Sequence, residues 1–166
     1  MPLNKKIYIG IDNGVTGSIG LIHPNGEYAF FKTPVKMQQD YTKKQKNLSR
    51  IEVHGLIEIL THFKGPKKAV LERPLVNPKM FTATISAVRC FESTLCILEG
   101  LSIPFEFLDS KEWQKKLLPA GCKGAALKSA SVDIATRLFP EYETDFKKQK
   151  DGDGMLIAEY ARRSNL

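Results

Sequence analysis

Four carboxylates in this 166-residue chain fall where carboxylates are costly to keep. Asp12 ends the apolar run "IYIGID", Glu72 ends "AVLE", and Asp151 and Asp153 open the apolar segment "DGDGMLIAEYARR". An unpaired carboxylate taken out of water costs several kcal/mol, so each should be paired, protonated or bound to a metal. The chain is nonetheless basic: 25 Lys and Arg against 18 Asp and Glu give a net charge of +7, which favours a polyanionic partner. Divalent metal is a common reason for collecting acids on such a protein. Two Mg2+ ions about 4 Å apart carry four positive charges, which four carboxylates offset, and they stabilise both the attacking and the leaving oxygens of a phosphoryl displacement. Without metal, the same acids would repel the phosphates they have to approach.

Each acid also has a plainer explanation. Asp12 could start the Asp-Asn-Gly turn and accept hydrogen bonds from the amides that follow. Glu72 could pair with Arg73, although adjacent residues on a strand point to opposite faces. Asp151 and Asp153 could serve only the cap and dipole of a helix. Their neighbours Gly152 and Gly154 carry no side chain and would let a ligand or a nucleic acid backbone come close.

The elements that must position these acids are legible in outline. Period-two alternation puts Ile7, Ile9 and Ile11 on one face of the first strand and Tyr8, Gly10 and Asp12 on the other. Ile7 to Asp12, Gly17 to Ile22 and Glu27 to Lys32, separated by the turn-rich "NGVT" and "HPNG", read as an antiparallel meander. Thr33 to Arg50, polar and lysine-rich, reads as an exposed, mobile loop. A helix is predicted over Ile51 to Phe63 with Ser49 as N-cap, then a strand in "KKAVLERP" and a long helix from about Lys79 to Gly100. "IPFEFLD" is the next strand, Ser110 is placed to cap a short helix, and a further helix spans about Ala125 to Leu138. A charged loop then leads to a last helix over about Gly152 to Arg163. The expected architecture is α/β, a single domain over residues 1–166, with a mixed five-stranded sheet of meander and parallel strands flanked by helices.

Composition fits a soluble protein, with 42% apolar and 26% charged residues. No apolar run approaches the ~20 residues of a membrane span and the first residues lack a cleavable-signal organisation, so a cytoplasmic protein is expected. Cys90, Cys96 and Cys122 are odd in number and contain no Cys-x-x-Cys pair, which points to reduced thiols. His23, His54 and His62 show no metal-ligand spacing, and Trp113 reads as a core or hinge anchor with base stacking as the alternative.

The segments "GIDNGVTGSIGLI", "AVLERP" and "DGDGMLIAEYARR", in that order, resemble the RuvC-type Holliday junction resolvases of the ribonuclease H-like nuclease superfamily. The resemblance covers nearly the whole chain, and the last helix looks especially like phage and other small members. It implies a ribonuclease H-like fold, with Asp12, Glu72, Asp151 and Asp153 as catalytic metal ligands for Mg2+, with Mn2+ as substitute, at two ions per site. The family usually spaces its last two acids three or more residues apart; here they are two apart. The resemblance further implies a homodimer in the cytoplasm, or the host cytoplasm for a phage protein. It would nick symmetry-related strands of branched DNA or four-way junctions, leave 5′-phosphates and have no membrane partner. Leu75 stands where bacterial members often carry an aromatic residue, so base stacking would pass to Phe81 or be absent. Lys128 is the basic residue best placed beside a scissile phosphate, its alternative being a solvated helix lysine. Lys43, Lys44, Lys46, Lys115, Lys116 and Lys123 are candidates for phosphate positioning, which gives affinity and salt dependence without sequence readout.

Other classes compete with this reading. "GIDNGVTGSIG" also resembles the first phosphate loop of actin-like and sugar-kinase nucleotide-binding proteins, but those need two such domains and leave Glu72 and the "DGDG" acids unexplained. A DNA-binding protein without catalysis would gain affinity by discarding the acids. Another ribonuclease H-like nuclease, acting on RNA:DNA hybrids, stays open.

Overall fold

The computed structural model describes residues 5–39 and 47–166. In chain order its strands are β1 (Ile7–Ile11), β2 (Ser18–Ile22), β3 (Tyr28–Lys32), β4 (Val35–Gln39), β5 (Asn47–Ile51), β6 (Lys67–Glu72) and β7 (Phe105–Leu108). The helices are α1 (Val53–Leu60), α2 (Phe81–Gly100), α3 (Ser110–Leu117), α4 (Ala125–Leu138), α5 (Glu143–Gln149) and α6 (Asp153–Ser164). The main sheet has five strands in the order β3-β2-β1-β6-β7. β3, β2 and β1 pair antiparallel, and β1, β6 and β7 pair parallel, so the expected mixed sheet is the one that forms.

The alternation in β1 sorts the core into two layers. Ile7, Ile9 and Ile11 pack with Leu56 and Leu60 of α1 and Leu98 of α2 on one side of the sheet. Tyr8 and Val70 pack on the other side with Trp113, Phe146 and the apolar residues of α6. All five residues of β1 are buried, as expected of a central strand covered on both faces.

Helix α6 lies directly on the backbone of β1 and β2. Gly10 and Gly20 are cross-strand partners, and both face the helix. A Cβ on Gly10 would come within 2.3 Å of the Gly154 carbonyl oxygen, and one on Gly20 within 2.5 Å of the Met155 Cα. From the helix side, a Cβ on Gly154 would stand 2.6 Å from the backbone of Ser18. This approach leaves no room for side chains between helix and sheet. It also explains why Gly154 through Ala161 are all buried, a helix apolar around most of its circumference.

Several expectations need correction. Thr33 to Arg50 is not simply a loop: β4 and β5 pair antiparallel, with Val35 opposite Ile51 and Met37 opposite Ser49. A ribbon with two solvated faces needs no apolar alternation. Polar cross-strand contacts support it, such as Arg50 Nη1 donating to Gln38 Oε1 at 2.6 Å. Ile51 therefore ends a strand, and α1 starts at Val53, capped by Glu52, whose carboxylate accepts from the amides of His54 (3.2 Å) and Gly55 (2.5 Å). Glutamate is outside the usual N-cap set, and Ser49 instead faces Met37. Helix α3 is capped by Asp109 in a reciprocal box with Glu112, one residue before the expected Ser110. The charged loop contains α5, anchored by the buried Phe146 edge-on to Phe30 at 4.7 Å. The segment Pro78–Gly100 is long and apolar enough by composition to cross a membrane, which a search for uninterrupted apolar runs misses because Arg89 and Glu92 break it. It buries only Cys90, Thr94, Ile97 and Leu98, so one stripe of α2 packs on the sheet and most of the rest is open.

The helix-on-backbone contact gives a direct test. Gly20→Ala should lower unfolding free energy in urea by about 1–3 kcal/mol or more, because backbone rather than a flexible side chain must give way. Gly100→Ala, where an added Cβ meets nothing within 4 Å, should cost nothing measurable.

Candidate metal centre

Asp12 follows β1 directly, and its amide donates to the Ser18 carbonyl at 3.0 Å, closing the loop that returns as β2. Glycine is required inside this loop at Gly17, where a Cβ would lie 2.1 Å from the Asp12 carbonyl oxygen, and at Gly14, whose φ is +134°. In the parallel pair Ile11 stands opposite Leu71, so Asp12 and Glu72 leave neighbouring strands at their carboxyl ends. The glycine contacts of α6 bring its first turn to the same edge. Asp12, Asp151 and Asp153 there each offer a carboxylate oxygen within 4.8 Å of the other two.

Hydrogen bonds orient these groups one oxygen at a time. Asp151 Oδ1 accepts from the Asp153 amide at 2.8 Å, an Asx-type contact at the start of α6, while the N-cap position falls to Gly152, which has no side chain to cap with. Its Oδ2 is buried and has no hydrogen-bond partner among the described residues. The next free amide of α6, that of Gly154, donates to Ser18 Oγ at 3.0 Å. Asp153 Oδ1 accepts from the hydroxyl of the buried Ser131 on α4. Glu72 Oε2 accepts from Trp113 Nε1 at 2.7 Å, and Trp113 is wholly buried.

Burial and mutual repulsion make the cluster hard to ionise. Burial raises the Asp12 pKa well above the usual carboxylate range, and the charges of Asp151, Asp153 and Glu72 raise it further. Glu72 is pushed up to about 7 by burial, opposed by the Trp113 hydrogen bond and reinforced by Asp153 and Asp151. Asp153 is raised by burial and by Asp151. Lys128 acts in the other direction on all three. A divalent cation fits this donor set: the ligands are hard oxygens, one buried oxygen lacks a partner, and repulsion among the acids is what a cation relieves.

The structure brings together Asp12, Asp151 and Asp153, with Glu72 beside them on the next strand but outside the tight group. Arg73 does not pair with Glu72; it lies 3.6 Å from Asp109 and over the Phe107 ring. Lys128 is exposed on α4 and close enough for its charge to act on three of the acids. Lys115 and Lys123 are exposed. Lys116 sits 4.9 Å over the Tyr160 ring and donates to Ser164, about 10–16 Å along α6 from Asp153. Lys43, Lys44 and Lys46 lie outside the described residues. Phe81 is 71% exposed, whereas Trp113 is core and has no face open to a base. His62 packs against the rings of Phe31 and Phe63, and the three cysteines are free. Sequence reasoning missed the positioning roles of Trp113, Ser131 and Ser18. The available signal was Trp113 itself, an indole whose N–H needs a partner once the ring is buried.

No family model matches the sequence, and no curated protein matches it. Among solved structures the chain is similar to T. thermophilus RuvC in complex with Holliday junction substrate, at TM-score 0.53 and 11% identity over 96% of each chain. It also aligns with the Thermus thermophilus RuvC structure at TM-score 0.49 and 13% identity, again over 96% of each chain. At 11% identity the first likeness is one of fold, and it makes this sheet with its two helical layers a RuvC-type, ribonuclease H-like fold.

Two measurements probe the centre. Glu72 has a folded pKa of about 7 against 4.5 unperturbed, so the native state holds the extra proton and stability falls as pH rises between those values. With chelator present, unfolding free energy should drop between pH 5 and 8, Glu72 alone contributing on the order of 3 kcal/mol. Added Mg2+ should restore it at pH 8; a flat profile would remove the repulsive cluster. Trp113→Phe keeps the ring buried but deletes the donor to Glu72. Mn2+ affinity by calorimetry should fall at least about tenfold while the far-UV circular dichroism is unchanged.

Proposed function

We propose that the chain is a metal-dependent, structure-selective DNA endonuclease that resolves four-way junctions by paired nicks, leaving 5′-phosphates. The observation that carries this reading is the convergence of Asp12, Asp151 and Asp153, with Glu72 alongside, at the carboxyl edge of a RuvC-type sheet. The structural relative was captured with Holliday junction substrate, and the net charge of +7 suits the same class of ligand. Membership among phage and other small members rests on the "DGDGMLIAEYARR" helix alone.

Asp12, Asp151, Asp153 and Glu72 would hold divalent ions, Mg2+ with Mn2+ as substitute. When bound, these supply charge neutralisation at the phosphate and an acidified water. The chain's own residues do the positioning. The strand ends hold Asp12 and Glu72, Ser131 and Trp113 fix one oxygen each of Asp153 and Glu72, and Lys128 supplies a cation for the phosphate. Lys115 and Lys123 contribute to duplex affinity, as do Lys43, Lys44 and Lys46.

Paired nicks need two centres, and a homodimer supplies them. The apolar surface around the start of α2 supports one: Leu75 is 79% exposed, Phe81 71%, Val76 62% and Met80 55%. A set of large apolar side chains left open like this marks an interaction surface, and a second copy covers it without any further partner.

The test is cleavage of a synthetic four-way junction, a linear duplex and an RNA:DNA hybrid. With Mg2+ the junction should be cut at two symmetric positions, chelator should abolish cutting, and the linear duplex should survive. Asp12→Asn should keep junction binding and reduce cleavage to background. Preferential cutting of the hybrid would assign the chain to the other branch of the superfamily, and unaltered cleavage by the variant would remove the site assignment.

A further inference from the structure

At the opposite end of α6, among the described residues, a cleft of about 610 Å3 opens between the carboxyl-terminal ends of α4 and α6 and the start of β1. Its size is ordinary for a small-ligand site. Lys6 is six residues from Asp12 along an extended strand, about 20 Å, and Arg162 is nine residues from Asp153 along a helix, about 14 Å. None of the four carboxylates of the metal centre lines this cleft.

The lining has two parts. One is cationic and held in place. Glu159, with its side chain only 5% exposed, accepts from Arg162 Nε and Nη2 at 2.8 Å each and from Arg163 Nε at 2.6 Å. Both arginine side chains remain half exposed. No hydrogen bond among the described residues takes Arg162 Nη1 or either terminal nitrogen of Arg163. A buried carboxylate holds Arg162 through two nitrogens and Arg163 through one, and leaves their other donors available in the lining, an arrangement suited to an oxyanion. With Lys6, whose Nζ donates to the Leu166 carbonyl oxygen at 3.4 Å, the lining carries three cations against one carboxylate, an excess of two positive charges. Glu141, the acid beside Tyr28, is not part of the lining. The other part is aromatic: Tyr28, partly exposed, stands edge to face at 4.9 Å on the buried Phe139, with the buried Ile22 beneath the lining.

We infer that this cleft binds a nucleoside phosphate, free or at the end of a strand: the dianionic phosphate monoester against Arg162, Arg163 and Lys6, the base against Tyr28. The inference stands on the cleft alone and is independent of the nuclease reading. Titration of the full chain with deoxyadenosine monophosphate in the presence of chelator tests it. Binding should be saturable below about 1 mM, with deoxyadenosine and inorganic phosphate each at least about tenfold weaker. Arg163→Gln leaves Glu159 paired with Arg162, and Lys6→Gln alters an exposed side chain, so both should fold as the parent does by circular dichroism. Each should weaken binding severalfold, whereas Asp12→Asn should leave it unchanged. Oligonucleotides with and without a 5′-phosphate separate the two sources. Competition by the phosphorylated strand alone assigns the site to strand ends, and competition by neither assigns it to free nucleotide. Absence of saturable binding, binding indifferent to Arg163→Gln and Lys6→Gln, or binding lost in Asp12→Asn overturns the proposal.

Discussion

Everything at the carboxylate cluster depends on the contact between the first turn of α6 and the bare backbone of β1 and β2. Gly10, Gly20 and Gly154 remove every Cβ from that contact, and Ser18 supplies the hydroxyl that satisfies the Gly154 amide. A methyl group at any of the three positions would meet backbone inside 3 Å and push the helix away from the sheet. Because Asp151 and Asp153 lie in or just before that turn, such a shift would also carry them away from Asp12. Close approach is thus both the packing solution and the means of assembling the acids. The apolar burial of Met155 through Ala158 supplies the favourable free energy that opposes their repulsion.

The hydrogen bonds around the cluster share a pattern. Trp113 engages one oxygen of Glu72, Ser131 one oxygen of Asp153, and the Asp153 amide one oxygen of Asp151. A purely structural carboxylate would be expected to satisfy both oxygens once buried. Here orientation is fixed through one, and at Asp151 the other is left buried without a partner among the described residues. Asp151 thus engages the start of α6 through one oxygen and keeps the other available, so serving the helix start and offering a metal ligand are compatible for that side chain.

The strand ends were legible in the sequence because each acid closes an apolar run, and alternation put Asp12 on the glycine-lined face; that Asp12 and Glu72 share an edge needed the parallel register of β1 and β6. The last helix was legible from its apolar residues and from acids in its first turn. Less visible were features whose partners are distant in sequence or whose chemistry is unusual. Trp113 and Glu72 are 41 residues apart and Ser131 and Asp153 are 22 apart, and no local periodicity links either pair. Glu52 caps α1 although glutamate is not a common cap, and the β4–β5 ribbon lacks the apolar alternation that betrays a half-buried strand. In α5 the charges hid the one buried anchor, Phe146.

Helix α6 carries opposite charge at its two ends, and its dipole favours both. Asp153 lies in the first turn, where the partial positive charge of unsatisfied amides lowers the cost of a carboxylate. Arg162 and Arg163 lie in the last turn, where cations are favoured. Glu159 runs against this trend, being a buried acid toward the negative end of the helix, and it is tolerated because two guanidiniums enclose it. Their hydrogen bonds and charges outweigh its burial and hold its carboxyl below the usual range, so it stays ionised and keeps the arginines fixed. One short helix, buried along its middle, can then present a cluster of carboxyl groups at one edge of the sheet and a cationic cleft at the other. The apolar packing between them fixes the separation of the two ends.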